Sequence, residues 1–247
     1  MKRFSAITLA SLLLLLLLAP GTSQASAVSV AVAANFLQPM AKLAALFTAR
    51  TGIKVEYSSS STGKLYAQLK NGAPYDIFLA ADEKRPELLH QAGLAAEPMI
   101  YARGRVVLWS GDTALHATGW QQALTDNQGR IAIASPEVAP YGMAAATALK
   151  NVGLYTTVSP RLVFAQSAGQ AFQYSQQKAT RFCFAALSYA TSDAGDKGCY
   201  WPIPEAPLVI QKGCLLKTAI NKNDAQSFWT FLFSKPATEI IAAYGYQ

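Results

Sequence analysis

The sequence predicts an α/β fold of two lobes with a ligand cleft between them. Strand and helix patterns alternate three times near the start of the chain, an order that is typical of a parallel sheet. A long apolar strand pattern at residues 105–109 leaves this first unit, and a second series of strands and helices follows. Apolar segments at 208–216 then return the chain to the first unit. Crossing strands between two lobes leave a cleft, which is a favoured place for a ligand.

The first 27 residues have the pattern of a secretory signal peptide. Residues 1–3 include two basic side chains, residues 12–18 are an unbroken run of leucine, and residues 25–27 form a small-residue cleavage site. The leucine run is too short to cross a bilayer comfortably, and no similar run follows it. We therefore expect cleavage after Ala27 and a mature chain that begins at Val28.

The remaining chain divides into two predicted lobes. The first is expected to comprise residues 28–105 plus 208–247, and the second residues 106–207. Strands of the first lobe are predicted at 28–33, 53–57 and 74–80, each followed by a helix. In the second lobe, strands at 129–134 and 182–187 flank a loop at 135–142, a helix at 143–150 and a further helix after 166–169.

Polar residues stand where strands of the first lobe end and the next helices begin. Asn35 follows the first strand, and Ser61 or Thr62 follows the second, in positions typical of helix N-caps. Because the carboxyl ends of parallel strands meet at one edge of a sheet, both caps point into one crevice. Hydroxyl groups and free backbone N–H groups at helix N-termini favour an anion. The alternative is that each residue is only a structural cap.

Charge and composition restrict the possible partners. Without Lys2 and Arg3 the formal net charge falls from +7 to about +5, a mild positive balance that favours an anionic partner. No basic run contains interleaved aromatic residues, so we expect no nucleic-acid partner. Histidine and cysteine residues show no metal-ligand spacing.

Three cysteines would enter an oxidising compartment on export, where one disulfide and one buried thiol are expected. Cys183 lies in an apolar run that predicts a buried strand. Cys199 and Cys214 are therefore the favoured pair, although the sequence leaves the pairing open.

Several segments match those of a known family. They are residues 32–36, 61–69, 71–82, 101–105, 136–142 and 185–188. Through them the chain resembles the periplasmic molybdate-binding proteins of ABC importers. The resemblance implies a type II flytrap that is not an enzyme, needs no cofactor, and acts as a monomer in the periplasm. It would close on molybdate or tungstate, with molybdenum present only as the oxyanion, and deliver the ion to a membrane ABC permease.

The resemblance also implies which residues bind the oxyanion. Asn35 would contribute its side chain, and Ser61 or Thr62 a hydroxyl, with Thr62 favoured. Tyr141 and Ala168 would contribute backbone N–H groups, and the Tyr141 phenol is a further candidate.

The chemistry of the predicted donors agrees with such a ligand. A fully deprotonated oxyanion only accepts hydrogen bonds, so its site is expected to contain donors only. Hydrogenphosphate would bring a proton with no acceptor, at a cost of roughly 1–3 kcal/mol. Sulfate and molybdate are both tetrahedral dianions that only cavity size separates, so a sulfate- or other oxyanion-binding protein is the alternative.

A periplasmic serine acyltransferase is the alternative from another functional class. Ser61 and Lys64 fit an S-x-x-K motif, while 192–194 and 217–219 nearly fit the S-D-N and K-T-G motifs. Both of these later motifs fail at their last residue. The strands and helices before Ser61 also suit a parallel-sheet lobe better than that enzyme fold.

Overall fold

The structure, a computed structural model, describes residues 27–115 and 117–247. The expected signal peptide lies outside the described residues except for Ala27, which begins the first strand. None of the helices in the described part of the chain has the length and apolar character needed to cross a bilayer.

The first lobe is built on a five-stranded mixed sheet. In spatial order its strands are β2 (Lys54–Ser60), β1 (Ala27–Ala33), β3 (Ile77–Leu79), β10 (Val209–Leu215) and β4 (Met99–Gly104). Strand β1 pairs in parallel with β2 and β3, whereas β10 is antiparallel to β3 and β4. The helices of this lobe are α1 (Leu37–Thr51), α2 (Thr62–Lys70), α3 (Lys84–Gln91), α9 (Asn223–Leu232) and α10 (Lys235–Ala243).

Two hydrophobic clusters hold these helices on the sheet. Met40 and Phe47 of α1 pack with Phe228 of α9 and Ile241 of α10 in one cluster. Leu65 of α2 contributes to the other cluster, together with side chains of α3 and the sheet. Helices therefore cover both faces of the sheet. The ends of its strands stay uncovered and can face the second lobe.

The second lobe contains another five-stranded mixed sheet. In spatial order its strands are β7 (Leu162–Ala165), β6 (Ile131–Ala134), β8 (Phe182–Ala186), β5 (Val106–Ser110) and β9 (Cys199–Pro202). Its helices are α4 (Trp120–Thr125), α5 (Pro140–Asn151), α6 (Tyr155–Val158), α7 (Ala168–Gln176) and α8 (Leu187–Ala190). Short 3-10 helices span Ala34–Phe36, Ser159–Arg161, Gly195–Lys197 and Lys217–Ala219.

The chain passes from the first sheet to the second between β4 and β5, where only Arg105 separates the two strands. It returns between β9 and β10. The predicted two-lobed α/β architecture is confirmed.

Two details of the prediction are wrong. The helix expected at 143–150 begins at Pro140. Proline suits the first turn of a helix because the backbone N–H that it lacks would have no acceptor within the helix. Cys199 and Cys214 do not form the favoured disulfide, since Cys199 lies in β9 of the second sheet and Cys214 in β10 of the first. All three cysteines are free thiols.

Candidate functional site

A small cavity between the lobes contains all five residues that the sequence predicts as ligands. Its volume is about 10 Å³, close to the smallest cavity that holds one water molecule. The cavity is lined by Ala33, Ala34, Asn35, Ser61, Thr62, Ala81, Ala139, Pro140, Tyr141 and Ala168. None of these side chains carries a charge.

Ser61 and Thr62 bring two buried hydroxyl groups to the first-lobe wall. Ser61 is the N-cap of α2, where its Oγ accepts a bond of 3.4 Å from the Lys64 backbone N–H. The Thr62 Oγ1 accepts a bond of 3.0 Å from the Ala81 N–H. Each oxygen is held by an amide, and neither hydroxyl proton has an acceptor among the described residues. Both hydroxyl groups are therefore available as donors.

Tyr141 and Ala168 lie in the first turns of α5 and α7 on the second-lobe wall. Backbone N–H groups in the first turn of a helix have no acceptor within that helix. The N–H groups of Tyr141, Ala168 and Thr62 likewise have no acceptor elsewhere in the described residues. Three helix N-termini from two lobes thus leave unpaired amides around one cavity, and their dipoles favour negative charge there.

Asn35 lines the cavity, but the predicted N-cap role is wrong. The chain leaves β1 through the 3-10 turn Ala34–Phe36, so Phe36 takes the N-cap position of α1 and no side chain caps it. Both N–H groups of the Asn35 amide are donated within the protein. One goes to the Gln211 Oε1 at 2.7 Å and the other to the Tyr246 hydroxyl at 3.1 Å.

The Tyr141 phenol lies beside the same buried residues. Its hydroxyl accepts a bond of 3.3 Å from the Gln211 Nε2. Burial, and then the neighbouring Tyr246, hold the pKa of Tyr141 well above its usual value. The phenol is therefore neutral and places no negative charge near the cavity.

The lobes are in contact on both sides of the cavity. The Gly63 N–H donates a bond of 2.9 Å to the Val138 carbonyl of the second lobe. The Tyr189 hydroxyl donates a bond of 2.5 Å to the Ala34 carbonyl of the first. Lys64 hydrogen-bonds to Gln166 across the cleft. The structure is therefore a closed form.

Sequence reasoning missed the residues behind the cavity, namely Tyr101, Ser188, Gln211 and Tyr246. All four are buried polar side chains. Ser188, Gln211 and Tyr246 hydrogen-bond to Asn35. Gln211 also bonds to Tyr141 and Tyr101. The available signals were a glutamine between the apolar segments of 208–216 and the position of Tyr101 and Ser188 in the family-like segments 101–105 and 185–188.

Neither a metal site nor a serine nucleophile is assembled here. In residues 27–115 and 117–247, no cluster of three or more histidine, cysteine, aspartate or glutamate side chains could hold a metal ion. The Lys64 amine contacts Gln166 rather than the Ser61 hydroxyl, and no acid or base lines the cavity. The arrangement offers hydrogen-bond donors to a small anion.

Comparisons with known proteins identify the family of this chain. The family model for bacterial extracellular solute-binding proteins matches residues 28–247. Molybdate-binding protein ModA of Rhodobacter capsulatus is 37% identical over 226 residues, which cover 90% of this chain and 88% of that protein. Molybdate-binding protein ModA of Azotobacter vinelandii is 36% identical over 244 residues and covers 91% of each chain.

Solved structures give the same result. A periplasmic molybdate-binding protein of Azotobacter vinelandii superimposes with a TM-score of 0.84 at 36% identity, covering 89% of this chain and 98% of that one. The sulfate-binding protein SubI of Mycobacterium tuberculosis reaches a TM-score of 0.75 at 15% identity, covering 90% and 86%, and shares the fold alone. The resemblance found in the sequence is thereby confirmed. The chain belongs to the bacterial extracellular solute-binding proteins, within their ModA group.

Proposed function

We propose that this protein captures molybdate or tungstate between its lobes and delivers the oxyanion to an ABC permease. The observation that carries the proposal is an uncharged cavity at which three helix N-termini, from two lobes, leave amide donors unpaired. The names of the relatives at 36–37% identity support the choice of cargo.

The donor set suits an anion that carries no proton. Backbone N–H groups of Thr62, Tyr141 and Ala168 and the hydroxyls of Ser61 and Thr62 offer hydrogens, and no lining side chain carries a carboxylate. Hydrogen bonds to a charged acceptor are stronger than those to a neutral one, and they are strongest where water is excluded. A protonated oxyanion such as hydrogenphosphate would leave its own proton unpaired.

Binding to both lobes would favour the closed form. An anion that contacts Thr62 in one lobe and Ala168 in the other binds the closed state more tightly than the open one, so its concentration shifts the population towards closure. The permease would then recognise the closed shape. We propose lobe limits of 28–105 plus 208–247 and 106–207, a monomer in the periplasm, and no catalytic activity.

Calorimetric titration of residues 28–247, stripped of ligand, tests the proposal. Molybdate and tungstate are expected to bind tightly, while sulfate and phosphate give weak heat or none. If sulfate binds as tightly as molybdate, the proposed ligand is wrong, but the proposal of a donor-only oxyanion site stands. If none of the four ions produces heat, the proposed function is wrong. A stable mass increase on Ser61 after treatment with a β-lactam would support the acyltransferase instead.

Two variants connect the binding to the cavity. Ser61→Ala and Thr62→Val each remove one hydroxyl, and each is expected to raise the Kd for molybdate about tenfold or more, since a hydrogen bond to a charged group contributes about 1.5–3 kcal/mol. Thr230→Val is the matched control, because Thr230 is exposed on α9 of the same lobe. Wild-type affinity in both cavity variants would show that neither hydroxyl is a ligand.

A further inference from the structure

A buried polar cluster lies directly behind the cavity. It consists of Asn35, Tyr101, Tyr141, Ser188, Gln211 and Tyr246, and every member is at most 7% exposed. Asn35, Tyr101, Gln211 and Tyr246 belong to the first lobe, whereas Tyr141 and Ser188 belong to the second. Asn35 and Tyr141 also line the cavity, so the cluster joins two opposite parts of its wall.

Gln211 is fully buried at the centre of this cluster. Its Oε1 accepts a bond of 2.7 Å from the Asn35 Nδ2. The same oxygen lies 3.1 Å from the Tyr101 hydroxyl, which shares its one proton with the Ala80 carbonyl at 3.0 Å. The Gln211 Nε2 then points to the Tyr141 hydroxyl at 3.3 Å. The pairing of β10 with β4 also shifts register between Gln211 and Lys212. A bulge of this kind re-aims a side chain, and such bulges are frequent beside functional sites.

Tyr246 holds Asn35 from another direction. Its hydroxyl donates a bond of 2.7 Å to the Asn35 carbonyl and accepts one of 3.1 Å from the Asn35 Nδ2. The same hydroxyl lies 3.1 Å from the Ser188 Oγ, which itself donates to the Asn35 carbonyl at 2.7 Å. Reciprocal backbone bonds between Gln247 and Arg103 fix this segment beside β4.

The cluster is tightly packed as well as hydrogen-bonded. The ring of Phe36 meets those of Tyr101 and Tyr246 edge-on, at centroid distances of 4.8 and 5.3 Å. A Cβ atom at Gly104 would collide with the Tyr141 hydroxyl and lie 2.9 Å from the Gln211 Nε2. Burial raises the pKa of Tyr246, so the cluster stays neutral beside an anion.

We infer that Gln211 and Tyr246 are positioning residues for the oxyanion site. They use both amide hydrogens of Asn35 and link this residue to Tyr141 and Ser188 of the other lobe. The cavity wall then has one arrangement in the closed form, and the donors around it need little reorganisation when the ion enters. This inference rests on the proposed function.

Two conservative variants test it by calorimetry with molybdate and sulfate. Tyr246→Phe keeps the ring and removes the hydroxyl, and we expect the Kd for molybdate to rise about three- to tenfold. Gln211→Met keeps the volume and removes both polar atoms, with an expected rise of about tenfold or more. A looser wall should also reduce the preference for molybdate over sulfate. The double variant should show less than the product of the two effects, because both residues hold the same amide.

The control variant is Ser110→Ala. Ser110 is equally buried, and its Oγ donates a bond of 2.8 Å to the Arg181 carbonyl in the second lobe, but it does not line the cavity. It should lower the unfolding temperature yet leave Kd and selectivity unchanged, because a protein that stays folded binds normally. Tyr246→Phe and Gln211→Met with wild-type Kd and selectivity would overturn the inference.

A measurement without ligand separates this inference from the proposed function. The Asn35 side-chain amide signals, identified by their loss in Asn35→Ala, should exchange slowly with solvent in the wild type and faster in both variants. Equal protection in wild type and variants would overturn the positioning role. A wild type that binds none of the oxyanions would instead overturn the proposed function, with the amide signals still reporting on Gln211 and Tyr246.

Discussion

Replacing Gly63 with alanine tests whether the lobes must meet at the start of α2 when the ligand is bound. An added Cβ atom would lie 3.0 Å from the Cα and 3.1 Å from the Cβ of Val138 in the second lobe. The Gly63 N–H donates a bond of 2.9 Å to the carbonyl of the same residue. The alanine therefore requires the lobes to separate by a few tenths of an ångström and lengthens this hydrogen bond.

Most of the cost falls on the closed form. The remaining close contact, 3.1 Å to the Arg85 Nη2 of the first lobe, is with the far end of a flexible side chain that can move away. Overpacking of this kind costs about 1–3 kcal/mol, and part of it is relieved because the lobes can move as bodies. Weakening one hydrogen bond adds up to about 1 kcal/mol. We expect a net loss of about 1–3 kcal/mol in closure, which corresponds to a rise in Kd of about 5- to 150-fold. In the open form the added Cβ does not contact the second lobe. Alanine also favours the helix over glycine by about 0.5–1 kcal/mol.

Calorimetry with molybdate and thermal unfolding of the ligand-free protein measure the two parts separately. Gly63→Ala should weaken binding and leave the unfolding temperature equal or slightly higher. Ala67→Gly is the control, because Ala67 is exposed in the same helix and its replacement changes helix propensity without touching the other lobe. Wild-type affinity in Gly63→Ala, or a fall in its unfolding temperature, would refute the reasoning.

Three further predictions concern stability and thiol chemistry. Asp76→Asn should lower the unfolding free energy by ~1–3 kcal/mol in urea, with Kd unchanged, because the buried carboxylate accepts the Ser29 N–H at 2.9 Å and pairs with Lys222 at 2.7 Å. Burial raises the pKa of Cys214 from 9.0 to about 12, so its contribution to stability is complete below pH 9.0 and is lost as the pH rises towards 12. Urea titrations on both sides of pH 9.0 should show a loss of at most ~1.4 kcal/mol per pH unit from this thiol, absent in a Cys214→Ser variant. Thiol titration of the denatured, unreduced protein should detect all three cysteines. Detection of a single thiol would show that two of them form a disulfide.

Much of the fold could be predicted because its signals are local. The apolar spacing of α1 and the position of Gly52 at its end mark that helix directly, and Gly52 adopts the left-handed conformation with a φ of 74°. The start of α5 at Pro140 was missed because a proline after a loop reads equally well as part of the loop. The prediction of the cysteine pair was wrong because the pairing depends on which sheet each strand joins, and spacing along the chain does not reveal this.

The candidate site could be predicted in part for a related reason. Ser61 and Thr62 follow a strand and open a helix, so position in the sequence alone indicates donors that the helix itself leaves unpaired. Gln211 and Tyr246 lie 176 and 211 residues from Asn35 along the chain. The contact of Gln211 with Asn35 requires β10 to insert between β3 and β4, and that of Tyr246 requires the end of the chain to pair with Arg103 of β4. No local pattern reveals either arrangement.

The unpaired donors around the cavity include backbone amides of Thr62, Tyr141 and Ala168. A main-chain N–H is the same in every residue type except proline, so drift at positions 141 and 168 leaves the donors in place. Natural variation at those positions is then a poor guide to the cargo of a given homologue. If the proposed function is correct, selection for one ion over another would act on the spacing between helix starts. We therefore expect evolutionary changes of cargo to accompany insertions and deletions that move those starts.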